Sequence, residues 1–336
     1  MNLNAAPNLP NHPVRRAAIV VVFGIVLTAF LGWAFLRAFV SADPARLLAL
    51  DPGFLTAAVV VWTLALYCQG ARWRALLPFS ELPSSGFLAL VVGGTNVAHL
   101  AVPGPVAEIA AAWFVGKRAN ADVSLALSAT LVGRLLALFA LACVVLGATA
   151  LRGFTQGLPR WVFGVAIAAA AGGFSAGACI VVPGPALSVV AGVLDAVPLP
   201  AAKRIAWVVR GWAEGFVAVR EKARWPRAFL WSLANASTLS AATVLAFHSA
   251  NVTIQPLDVL LLHGILSLST VVMLVLPAGV GAVDALGGGL LLALGVTDLT
   301  GAALCMVALR WVQLVSMALG LPAMGWVLAQ SRAAKA

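Results

Sequence analysis

Residues 100–113, LAVPGPVAEIAAAW, set Pro103, Gly104 and Pro105 in the middle of an apolar run and follow them with one carboxylate, Glu108. Proline removes a backbone donor and glycine frees φ, so such a break leaves unpaired peptide groups at membrane depth. Lipid tolerates them only where protein or a water-filled cavity surrounds them. The apolar region 86–116 therefore reads as two helical arms around an irregular turn. Residues 274–287, LVLPAGVGAVDALG, repeat the pattern: Pro277, Gly279 and Gly281 interrupt the region 257–296, and Asp284 follows.

The sequence around these two stretches is built for lipid. The 336 residues are 62% hydrophobic and only 10% charged, against roughly a quarter charged in a water-soluble domain. No polar stretch is long enough for a separate catalytic domain. Apolar runs at 17–40, 54–70, 123–150, 161–182, 228–250 and 301–328 each approach the roughly 20 residues that cross hydrocarbon. The first outlasts the about 7–15 residues of a signal-peptide core and reads as an uncleaved span. The expected fold is an all-α polytopic membrane bundle of six full spans plus two re-entrant or broken helical hairpins. Polar tails at 1–16 and 329–336 flank a single transmembrane domain, 17–328.

Lys and Arg number 21 against 11 Asp and Glu, a net charge of +10. These cations sit between apolar runs, so they report topology and not nucleic acid. With the N-terminus inside and the six spans alternating, fifteen of the 21 fall on cytoplasmic connections and four, Arg37, Arg46, Arg152 and Arg160, on outer ones. Both termini are then cytoplasmic, and Arg134 and Arg310 are left inside the membrane. In 203–227, Ile205, Val208, Val209, Trp212, Phe216 and Val219 recur at helical spacing, which describes an amphipathic helix along the cytoplasmic headgroups. Cys68, Cys143, Cys179 and Cys305 stand singly in apolar sequence. Neither a metal nor a cofactor is expected, and no GxxxxGK[ST] loop offers ATP a site.

A charge at a helix centre costs about 2.5–3.5 kcal/mol even on the lower insertion scales. Arg134 and Arg310 therefore need anions. Glu108 lies 134 − 108 = 26 residues before the first, and Asp284 lies 310 − 284 = 26 before the second. Their flanks match in character, LVGRLLALF against VALRWVQLV. Eight residues before each leading proline stands a hydroxyl, Thr95 or Ser269, followed by a polar residue, Asn96 or Thr270. His99, four residues before Pro103, either packs in the interior or titrates near neutral pH. Two copies of hairpin plus charged span, at about 86–150 and 257–328, with the first hairpin opening to the cytoplasm and the second outward, describe an inverted-topology repeat. Transporters built this way place their binding site at the midplane among broken helices. Two salt bridges that merely pin helices together are the structural alternative.

The order ARWRALL (71–77), then Asn96, Pro103 and Glu108, then Arg134-Leu-Leu, then Pro-x-Gly-x-Gly-x-x-acid from Pro277 to Asp284, resembles the flippase-like transmembrane domain of lysylphosphatidylglycerol synthetases. The resemblance covers most of 54–328. It implies a helical bundle that moves a phospholipid or a polyprenyl-linked lipid between leaflets, in proteins whose synthase chemistry resides in a soluble domain absent after residue 328 here. The chain departs from the family pattern where Pro105 and Ala107 replace a basic residue and a glycine. Gly133 and Ala137 replace acids beside the arginine, Asp284 a glutamate, and Val283 a basic residue.

These readings converge on a flippase of the bacterial inner membrane that acts on an anionic phospholipid or polyprenyl-linked lipid and catalyses no reaction itself. Arg134 and Arg310 would meet the headgroup phosphate, Glu108 and Asp284 would be their counter-charges, and Asn96, His99 and Thr270 would complete the substrate site. The implied partners are an anionic membrane lipid and a separately encoded lipid-modifying enzyme, with no nucleic acid; the oligomeric state is open. Two other classes remain: an integral-membrane enzyme using Glu108 or Asp284 as general base, and a non-transporting scaffold. The isolated acids and the lack of a nucleophile elbow or paired His ligands weigh against catalysis.

Overall fold

A computed structural model describes residues 50–79, 81–101, 104–119, 121–155, 157–181, 189, 191–193, 195–196, 210, 213–221, 223–269, 282–318 and 322. The expected first span at 17–40, the break at 277–281, Thr270, residues 203–209, 211–212 and 222 of the expected amphipathic segment, and the end of the last span lie outside them. The described regular elements are helices. In order they are α1 (Pro52–Leu76), α2 (Ser85–Ala101), α3 (Gly104–Arg118), α4 (Val123–Thr155), α5 (Arg160–Val181), α6 (Trp225–Ser249), α7 (Pro256–Ser269), α8 (Ala282–Ala293) and α9 (Leu299–Ala318).

Five of these, α1, α4, α5, α6 and α9, contain apolar stretches long enough to cross a membrane. They coincide with the expected spans beginning at 54, 123, 161, 228 and 301. α2, α3, α7 and α8 have 17, 15, 14 and 12 residues. They are the arms of the two hairpins, and the arms of each hairpin pack on one another.

The scarce acids start the helices or neutralise arginine. Asp51 accepts from the backbone N–H of Gly53 and Phe54 at 2.7 and 3.2 Å, with Pro52 preset for the first turn of α1. Asp122 and Asp298 cap α4 and α9 through Ser124 and Gly301 at 2.8 and 2.7 Å. Hydroxyls inside the bundle donate to carbonyls one turn back, as Thr149 does to Val145 at 2.6 Å and Ser232 to Ala228 at 3.0 Å. That closes polar groups which lipid would otherwise leave bare.

The order of the described helices carries the repeat further than the hairpins do: a leading helix, two hairpin arms and a spanning helix run from α1 to α4 and again from α6 to α9, with α5 between the two sets. α1 and α6, the leading helices, form the largest helix contact. Their ends meet reciprocally: Asp51 N–H donates to Ser249 C=O at 2.9 Å, and Arg224 N–H donates to Ala75 C=O at 3.0 Å. Phe54 stacks near His248 and Tyr67 near Trp231, at centroid distances of 5.6 and 6.1 Å. The leading helices thus run antiparallel, as an inverted repeat requires.

Each hairpin has its own apolar core. Leu76, Leu88, Ala112, Val115, Val132 and Leu136 pack around the first. Phe247, Leu261, Leu262, Ile265, Leu290 and Met306 pack around the second. The first hairpin sits close against α1 because Gly70 has no side chain: a Cβ there would stand 2.5 Å from Ala89 N and 2.7 Å from Ser85 O. Large apolar side chains such as Val60, Phe163, Leu230 and Trp311 remain exposed on the outside. In lipid that exposure carries no hydrophobic penalty.

Candidate functional site

Both couples expected from the 26-residue spacing form. Glu108, one turn into α3, is 5% exposed and makes a salt bridge with Arg134 of α4. Asp284, in the first turn of α8, is 2% exposed and accepts from Arg310 Nε of α9 at 2.8 Å. In each half, the second hairpin arm carries the acid and packs on the spanning helix that carries its arginine. Burying such pairs costs desolvation that their attraction repays only in good geometry.

The two couples differ in their surroundings. Arg310 is also held by Gln313, whose Oε1 accepts from Nη1 at 2.9 Å, and its Nη2 is buried without a partner among the described residues. Arg134 keeps 43% of its side chain exposed. It lines a cavity of about 80 Å³ with Gln69, Arg72, Asn96, Glu108 and Thr130. That is several times the ~10–15 Å³ that a single water requires. Asn96 therefore joins Glu108 and Arg134. The side chain of His99 and all of Thr270 lie outside the described residues.

Arg72 enters this cavity although the sequence reading places it on a cytoplasmic connection. That reading ends the second span near residue 70, whereas α1 continues to Leu76 with Ala71, Trp73, Ala75 and Leu76 buried. The apolar Ala71, Trp73, Ala75, Leu76 and Leu77 around the two arginines are the signal that could have extended the span past residue 70. The Nη1 atom of Arg72 is buried and has no partner among the described residues.

A further couple was also missed. Arg152 Nε in the last turn of α4 donates to Asp258 Oδ1 in the first turn of α7 at 2.7 Å, with the residues 9% and 3% exposed. The sequence reading counts Arg152 among the outer connections. No spacing rule links two residues 106 apart, and an acid at the start of a helix reads as a complement to the helix dipole.

These features define a class: a polytopic helical membrane protein in which α3 and α8 each deliver a buried carboxylate to an arginine of the following spanning helix. The chain belongs to the lysylphosphatidylglycerol synthase TM region family, whose model matches residues 18–320 and so extends over the first expected span as well. No curated protein and no solved structure matches the chain.

Proposed function

We propose that this protein translocates an anionic phospholipid or polyprenyl-linked lipid between the leaflets of the bacterial inner membrane, with both termini cytoplasmic and without catalysing a reaction. The observation that carries the proposal is the repeated burial of a carboxylate against an arginine of the following spanning helix, once beside a cavity that the arginine lines. In this reading Glu108 and Asp284 hold the arginines while the site is empty. An incoming phosphate offers a bidentate acceptor in their place. Exchange of one anion for another never leaves a guanidinium unpaired in the low-dielectric interior, which keeps the barrier to headgroup passage low. The antiparallel leading helices support alternating access, because inverted halves present the same couple to opposite faces.

The test is leaflet exposure of a fluorescent phosphatidylglycerol in liposomes that hold the purified full chain. Arg134→Ala and Arg310→Ala are each expected to reduce lipid movement to the rate of empty liposomes while the protein stays folded in the membrane. Wild-type rates in both variants would end the proposal. Mass analysis of the same lipids separates movement from catalysis: an unchanged headgroup supports translocation, and a new lipid product supports a membrane enzyme.

A further inference from the structure

The first-half cavity holds an imbalance that the second half lacks. Two guanidiniums, Arg72 and Arg134, line it with one carboxylate, Glu108. Glu108 is committed to Arg134 through their salt bridge. Arg72 faces the same cavity as Arg134, and its Nη1 is buried without a partner among the described residues. An unpaired buried cation costs several kcal/mol, so a fold retains one where an anion fills the place.

The remaining polar lining can only donate in certain directions. Thr95 and Thr130 already donate their hydroxyl protons to Val91 C=O and Ala126 C=O, at 2.7 and 2.9 Å. The donors left in the lining are the guanidiniums, the amides of Asn96 and Gln69, and the indole N–H of Trp73, which has no partner among the described residues. That set suits a compact oxyanion with several acceptor oxygens. Gly133 is part of the same lining, with Arg72 Nε 3.7 Å from where a Cβ on it would stand.

Among the described residues, no arginine stands at the matching place in the second half. Position 72 is 20 residues after Pro52, and the position 20 residues after Trp225 is 245, a leucine. Arg310 is instead paired with Asp284 and the neutral amide of Gln313, with only its Nη2 left without a partner among the described residues.

We infer that Arg72 is a second phosphate ligand, and that with Arg134 it makes the cavity between α1, α2, α3 and α4 a two-arginine phosphate site confined to the first half. The assignment of that phosphate to a lipid headgroup rests on the translocation reading; the site itself does not.

The experiment titrates the full chain in detergent with inorganic phosphate and, separately, with dihexanoyl phosphatidylglycerol, following heat of binding and the thermal midpoint. Wild-type protein and the exposed-cation control Arg227→Ala are expected to bind alike. Arg72→Ala is expected to bind about tenfold to a hundredfold more weakly, the loss of a charge-assisted contact. Binding of the lipid alone identifies a headgroup site, and equal binding of both ligands identifies a phosphate site open to the free ion. Arg72→Met keeps the volume and removes the unpaired charge. It is expected to raise the midpoint of the empty protein and to abolish the rise produced by ligand, whereas loss of a purely structural arginine would lower it. Equal ligand affinity in wild type, Arg72→Ala and Arg72→Met, or no binding of either ligand to wild type, overturns the inference. If ligand binding depends on Arg72 but wild-type liposomes move no lipid, the site stands and the translocation reading falls.

Discussion

Arg72 and Gly133 are neighbours across α1 and α4: a Cβ on Gly133 would stand in van der Waals contact with the guanidinium, 3.7 Å from Nε. The nearest atom to that Cβ is Leu76 Cδ1 at 3.2 Å, the end of a flexible side chain. A short acidic residue can therefore be accommodated. Gly133→Asp is expected to supply Arg72 with an internal counter-ion. Phosphate binding and lipid movement should fall at least tenfold while the thermal midpoint holds or rises, because a buried charge gains its partner. Undiminished phosphate binding in Gly133→Asp would show that Arg72 is not engaged there.

The Arg152–Asp258 couple lies outside the cavity and is expected to govern stability without touching transport chemistry. Arg152→Met leaves Asp258 buried alone, at a cost of about 3–5 kcal/mol. The double variant Arg152→Met with Asp258→Leu replaces both charges by apolar groups and is expected to recover most of that loss. Thermal unfolding in detergent measures each. If single and double variants unfold at the same temperature, the pair carries no coupling energy.

Much of this architecture is legible in the sequence, and particular residues show why. Pro103-Gly104-Pro105 and Pro277 announce the hairpins because lipid leaves a broken helix few places to go. The spacing of 26 between Glu108 and Arg134 recurs at Asp284 and Arg310 because each acid sits near the start of the second arm and each arginine near the middle of the next span. The inward turn of Arg72 was not legible because a residue near a helix end looks the same whether it snorkels to the headgroups or turns inward; only packing distinguishes them. The reciprocal bonds joining Asp51 to Ser249 and Arg224 to Ala75 are backbone contacts, and no side-chain pattern encodes them.

Gly70 lies where α1 and α2 touch through backbone, and the obstacles to a side chain there, Ala89 N and Ser85 O, cannot rotate away. Gly70→Val is expected to push the first hairpin off α1, at about 1–3 kcal/mol or more. It should weaken phosphate binding as well, because Asn96 on α2 and Arg72 on α1 would separate. A Gly70→Val protein with wild-type midpoint and affinity would contradict the close packing.

The antiparallel pairing of α1 and α6 makes a labelling prediction. In a background lacking Cys68, Cys143, Cys179 and Cys305, a cysteine at Asn251 is expected to react with an impermeant maleimide from outside intact cells. One at Glu81 should react only after the membrane is opened. Labelling of both from the same side would refute the inversion.

α4 carries Arg134 for the first hairpin and, 152 − 134 = 18 residues further along, Arg152 for the second. At 1.5 Å per residue the two grips are about 27 Å apart. The duplication is therefore interlocked and not modular: the second hairpin is tethered to a strut that belongs to the first copy. A chain cut between α5 and α6 would yield fragments of which the later one lacks its anchor, so neither is a self-sufficient folding unit, and an effort to build a minimal version from a single copy would have to transplant this strut along with it.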